Sequence, residues 1–198
     1  MHLSSPRDLI TQMEDARART HALIDGLDDA QMMGPRLSTV NPLRWEIGHA
    51  AYFYEYWVLR RHLGEAAGRP DVDRLFDSIH IAHDTRWDLP LPSLPETFAY
   101  MGGVLDRVRG HLEQDGPDPE RDYLAQYAVF HEDMHTEAFT YTRQTLGYPA
   151  PRIGLARDPA WDAGLLPDDV QIPGGEFRLG AEPGDGFVFD NEKWAHPV

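Results

Sequence analysis

His131-Glu132-Asp133-Met134-His135 sets two imidazoles four residues apart. On a helix that spacing puts both rings on one face, where they can reach a single metal ion. The surrounding segment, DYLAQYAVFHEDMHTEAFTYTRQTLGY, has the pattern of a long amphipathic helix. Leu124, Tyr127, Ala128, Met134, Ala138, Phe139, Thr142 and Leu146 recur at threes and fours, and both histidines fall on that stripe. The stripe is the expected inward face, so the imidazoles need partners there. A metal satisfies two at once, and hydrogen bonds within the core would serve as well.

His49 is the best candidate for a third ligand. It lies mid-way along PLRWEIGHAAYFYEYWVLRRHL, with Trp45, Tyr52, Phe53 and Tyr56 near it on its face. Three neutral imidazoles with open positions suit Zn(II) or Fe(II), and open positions point to catalysis rather than structure. His2, His21, His62 and His111 lie near helix ends or on exposed faces and are most simply solvated. His80 and His83 are ordinary loop residues, with a supporting or substrate-contacting role as the alternative. His-Glu-x-x-His is also the literal zinc-protease helix motif, with Glu132 as general base on a metal-bound water. No strand precedes it to align a peptide and no third ligand follows shortly. Glu192 and His196 lie in a different kind of segment.

Four helices must position these residues. The first runs from about Ser5 to Leu27. The second opens at Asn41-Pro42, with Asn as N-cap and Pro at the first helical position. It is apolar nearly all round, which predicts burial on several sides. Ser93-Leu94-Pro95-Glu96 is a capping box that announces the third. The fourth follows the Pro117/Pro119 turn, holds the histidine pair and ends before Gly147 and Pro149. The connection LFDSIHIAHDTRWDLPLP is long for a bundle, and such segments often line sites. These features predict a mainly α fold: a four-helix bundle over 1–150, with a metal site built from facing helices. Residues 151–168 have linker composition. VQIPGGEFRLGA then predicts two short strands around Gly174-Gly175, so 169–198 is expected to open a second domain that this chain does not complete.

Composition narrows the function classes. A net charge of -15 repels phosphate backbones and anionic lipid, so neither nucleic acid nor a membrane is an expected partner. With no cysteine, the chain has no disulfide, thiolate ligand or thiol nucleophile. No apolar run has the length of a membrane span and the N-terminus is unlike a signal peptide, which leads us to expect a cytoplasmic protein.

NPLRWEIGHAAYFYEYWVLR and AVFHEDMHTEAFTYTRQTLGYP resemble the DinB-like four-helix bundle of the ergothioneine-biosynthesis sulfoxide synthases. VQIPGGEFRLGAEPGDGFVFDNEKWAHPV resembles the first strands of the formylglycine-generating-enzyme-like (C-type-lectin-like) α/β domain that follows there. The resemblance implies that His49, His131 and His135 bind a non-haem Fe(II). It further implies that iron and O2 join a chalcogen donor to the imidazole C2 of hercynine, Nα-trimethylhistidine. The family's catalytic tyrosine is then expected beyond Val198. Where ergothioneine-type enzymes commonly carry Gln before the last histidine, this chain has Met134, a candidate substrate contact. Where they carry an Arg-Gly stretch for the carboxylate of γ-glutamylcysteine, it has Arg86-Trp87, and Arg86 is the candidate donor contact. FVFDNEKWAHPV and HEDMHTEAF are closer to the selenoneine synthase branch, which implies a selenosugar donor in place of a thiol. The alternatives are a stand-alone DinB-like Zn-dependent thiol transferase and a non-enzymatic bundle with core-satisfied histidines.

Overall fold

The computed structural model describes residues 4–153, 169–184 and 186–198, which divide into one unit, Leu3–Arg152, and a second drawn from Ile153–Val198. In the first, α1 (Pro6–Ile24) is capped by Ser5, whose hydroxyl accepts from the Asp8 N–H. A one-turn α2 (Asp29–Met33) follows, with a capping box between Asp28 and Gln31. α3 (Leu43–Tyr54) passes without a break into a π-helical stretch, Glu55–His62. α4 (Val72–Phe76) and a 3-10 turn, His83–Asp88, form part of the long connection. α5 (Leu94–Gln114) begins at the predicted Ser93/Glu96 capping box. α6 (Pro119–Thr145) begins at Asp118, and Gly147 beyond its end has φ +65, the left-handed conformation glycine adopts at no steric cost.

α1 and α3 each pack against both α5 and α6, which makes the four long helices a bundle. Leu9, Met13, Tyr54, Val58, Val104, Val108, Ala125 and Val129 fill one level of its core. Leu23, Met32, Ile47, Met101 and Phe139 fill another. A third cluster lies on the other side of α3, where Trp45 and Tyr52 meet Val72, Leu75 and Phe76 of α4. α3 is therefore buried on several sides, as its composition predicts, with ten of its twelve residues buried.

Two local expectations fail. Asn41 does not cap α3. Pro42 takes that position with no side-chain bond, and the Asn41 amide instead donates to Glu46 Oε1 at 2.8 Å. The buried face of α6 also matches the predicted stripe only in part. Ala128, Ala138, Phe139 and Thr142 are buried as predicted, but so are Ala125, Val129, Glu132, Thr136 and Arg143, while Met134 is 50% exposed. An ion pair for Glu132 and carbonyl acceptors for Arg143 satisfy the charged residues that are buried. Arg17 of α1 donates to Glu132 Oε1 at 2.9 Å, and Arg143 donates to the Leu23 carbonyl at 2.7 Å.

In the second unit, β1 (Arg178–Leu179) pairs antiparallel with β2 (His196–Pro197) in the register Arg178↔Pro197 and Leu179↔His196. The predicted hairpin about Gly174-Gly175 does not form. Val170 and Ile172 are 81% and 80% exposed, so the segment before the turn has no apolar surface to pack on. Residues 154–168, most of the expected linker, lie outside the described residues. Among the described residues no helix is long and apolar enough to cross a membrane.

Candidate metal centre

His49 on α3 and His131 and His135 on α6 converge. Their ligand nitrogens lie within 4.8 Å of one another, and among the described residues they are the group of side chains placed to share an ion. The sequence pairs the two α6 histidines. Bringing in the third requires α3 and α6 to pack face to face, as they do.

A different device holds each ring. His49 Nδ1 lies 2.7 Å from the Phe76 carbonyl. A carbonyl only accepts, so Nδ1 carries the proton and Nε2 keeps its lone pair, the tautomer a metal ligand requires. The other side of the ring stacks on Trp45, with centroids 4.7 Å apart and planes 9° from parallel. The indole N–H in turn donates to the Leu75 carbonyl at 2.8 Å. The end of α4 thus clamps both aromatic rings of α3. This close approach depends on Gly48, where a Cβ would lie 2.2 Å from the Phe76 ring. His131 stacks on Phe53 at 3.8 Å and 10°. The Nδ1 of His135 faces Glu46 Oε1 at 3.6 Å.

The electrostatics favour neutral ligands. Burial, then the neighbouring His135, lowers the pKa of His49 to about 3 against the partly opposing hydrogen bond to Phe76. Burial, with His135 and His49 close by, also puts His131 well below the ordinary imidazole range. The Nδ1 atoms of His131 and His135 are buried and lack hydrogen-bond partners. No hydrogen bond within the core is made at these two atoms. Three converging imidazoles, two of them held neutral by burial, fit a borderline divalent ion such as Fe(II) or Zn(II). A cleft of about 200 Å³ reaches His49, walled by Tyr52, Phe53, Tyr56, Trp57 and Asp77.

The remaining candidates separate clearly. Glu132 is buried on the side of α6 facing α1, where Arg17 and the Thr20 hydroxyl (2.9 Å) both donate to it. Held there it cannot act as base for a metal-bound water, which removes the protease reading. Arg86 places its guanidinium 3.9 Å over the Trp45 ring and donates to Asn41 Oδ1 at 2.7 Å. Trp87 donates to the Met33 and Gly34 carbonyls. His62 and His111 bond to Asp118 and to Glu65 and Asp115 respectively, so neither is merely solvated. His80 pairs with Asp77 and His83 with the Val40 carbonyl. Sequence reasoning missed Glu46, Gly48 and the Phe76 carbonyl. Gly48 carried a legible signal, since glycine inside a helix costs about 1 kcal/mol relative to alanine and calls for a packing reason.

Comparison with known proteins adds the lineage. The model of the DinB superfamily matches residues 12–139, the stretch that holds all three histidines. The chain belongs to the DinB superfamily. This DinB chain is 29% identical over 194 residues to a protein named hercynine oxygenase from Mycolicibacterium smegmatis, covering 96% of this chain and 45% of that protein. It is 30% identical to the hercynine oxygenases of Mycolicibacterium thermoresistibile, with 96% and 43% covered, and of Mycobacterium tuberculosis, with 99% and 46% covered. It thus spans under half the length of these curated relatives.

Proposed function

We propose that this DinB chain carries the metal site of a hercynine-acting, O2-dependent non-haem Fe(II) enzyme of the selenoneine synthase type, which forms a C–Se bond at the imidazole C2 of hercynine. A C–S bond from cysteine or γ-glutamylcysteine is the second form of the reading. The observation that carries it is the convergence of His49, His131 and His135 from two facing helices, in a chain whose curated relatives are named for hercynine. His49, His131 and His135 hold the iron. Bound Fe(II) supplies the redox chemistry that couples O2 to formation of the new carbon–chalcogen bond.

The chain's own residues supply position and environment. Trp45, the Phe76 carbonyl and Phe53 fix the imidazole planes, and burial keeps His49 and His131 neutral. The aromatic walls and the Asp77 carboxylate beside His49 suit a quaternary ammonium group such as that of hercynine. Met134, half exposed one residue before His135, is a substrate contact in this reading, and Arg86 a donor contact. Residues 169–198 open a formylglycine-generating-enzyme-like domain, and the enzyme works in the cytoplasm.

Anaerobic Fe(II) titration of the wild-type chain beside His49→Ala and His135→Ala, followed by addition of hercynine, tests the proposal. One ion per chain, lost in both variants, and a hercynine-dependent change in the Fe(II) spectrum are expected. Iron binding that survives His49→Ala overturns the three-histidine site. Mass spectrometry with a selenosugar and with γ-glutamylcysteine then distinguishes the two donors.

A further inference from the structure

Glu46 is 1% exposed on α3, one helical turn before His49. A carboxylate that deep needs donors, and its hydrogen-bond set is incomplete. The Asn41 amide donates to Oε1 at 2.8 Å, while Oε2 is buried with no partner. The atom facing this carboxylate across the helix interface is the equally unpartnered Nδ1 of His135, 3.6 Å from Oε1. A shift of less than 1 Å brings that pair to ordinary N–H···O contact. Glu46 itself lies outside the group of side chains whose ligand atoms converge. It can therefore reach the back of one ligand without joining the metal.

We propose that Glu46 is the positioning residue for His135: its carboxylate accepts the Nδ1 proton, leaving Nε2 as the metal-binding atom and fixing the ring plane. This rests on the three-histidine metal site proposed above. The arrangement completes a pattern already present at His49, where the Phe76 carbonyl does the same for Nδ1. Metal-bound histidines commonly donate their second N–H to a carboxylate or carbonyl, which sets the tautomer and increases ligand basicity. Asn41 steers the carboxylate, and Asn41 is in turn held by Arg86, whose guanidinium also lies over Trp45, the ring stacked on His49. Arg86 thereby supports two ligands from behind: His49 through Trp45, and His135 through Asn41 and Glu46.

The test is Co(II) titration of the full chain, read by its visible d–d bands, for the wild type, Glu46→Gln and Glu46→Ala. Far-UV circular dichroism and thermal melting of the metal-free proteins serve as folding controls. Glu46→Ala is expected to weaken Co(II) binding by about 10–100-fold and to change the band envelope. Glu46→Gln, which keeps the volume and an acceptor oxygen, is expected to fall between it and the wild type. If the alanine variant does not fold, the glutamine variant carries the test through its affinity and bands. Wild-type affinity and unchanged bands in the folded Glu46 variants overturn the proposal while leaving the metal site standing. A wild-type chain that takes up no Co(II) overturns the metal site and this proposal with it.

Discussion

Gly48→Ala should damage the metal centre from behind, without touching a ligand. An added Cβ would lie 2.2 and 2.3 Å from two atoms of the Phe76 ring, against an ordinary contact distance beginning near 3.4 Å. The ring is fully buried in a cluster with Trp45, Tyr52, Val72 and Leu75, so turning it aside displaces close-packed neighbours. Relief therefore requires α4 to move off α3 by about 1 Å, and that motion stretches two hydrogen bonds that cross the same seam. These are Trp45 Nε1 to the Leu75 carbonyl and His49 Nδ1 to the Phe76 carbonyl, now 2.8 and 2.7 Å. Overpacking costs about 1–3 kcal/mol, and the two bonds contribute about 1 kcal/mol each. Alanine's better helix propensity returns about 1 kcal/mol. The net loss is about 2–4 kcal/mol, readable as a lowered urea midpoint with unchanged slope. Metal affinity should fall as well, because His49 loses the acceptor that sets its tautomer. Phe76→Leu in the Gly48→Ala background should recover part of the stability, so that the double variant costs less than the sum of the single ones. A Gly48→Ala protein as stable as the wild type, with unaltered Co(II) affinity, would refute the reasoning, since helix propensity alone would then have decided the outcome.

Three further outcomes are expected. In the metal-free protein, His49 titrates at about 3 when folded against 6.5 as an ordinary imidazole, so below pH 6.5 the unfolded chain binds a proton that the folded one refuses. Stability contributed by this group is complete above that pH and declines by about 1.4 kcal/mol per unit as pH falls toward 3. Urea midpoints in EDTA across this window check it, and a flat profile would contradict the buried neutral imidazole. Glu132→Gln leaves the Arg17 charge buried without its counter-ion and should cost about 3 kcal/mol or more, while the folded protein binds Co(II) with wild-type affinity. Full stability combined with lost metal binding would return Glu132 to the site. Arg86→Leu should cost about 1–2 kcal/mol through the lost stack on Trp45, with Arg86→Lys failing to restore it because an ammonium cannot stack as a plane. Thermal melts decide this, and an Arg86→Leu protein that melts like the wild type refutes the supporting role.

Much of the helical frame was legible because its signals are local. The Ser93/Glu96 box, the Pro119 start and the Gly147 stop each depend on backbone groups within a turn of the residue concerned. The burial of charged residues on α6 was not legible. Hydrophobic periodicity treats Glu132 and Arg143 as surface residues, yet each is buried because a partner distant in sequence satisfies its charge or donors. Met134, expected on the inward stripe, is half exposed, while Ala128, Ala138, Phe139 and Thr142 of the same stripe are buried. Asn41 failed as a cap because a buried carboxylate one turn away claimed its amide.

The sequence by itself determined the four long helices, a chain without cysteine, its acidic net charge and the i,i+4 placement of His131 and His135. These follow from residue type and spacing within a few turns of chain. Only the tertiary structure decided that His49 joins the pair, that Glu132 faces away from it, and that Glu46, Gly48 and the Phe76 carbonyl lie behind the ligands. Each of those depends on which faces of α1, α3, α4 and α6 meet. Shape and charge pairing between helices distant in sequence set those contacts, and no single helix's periodicity encodes them.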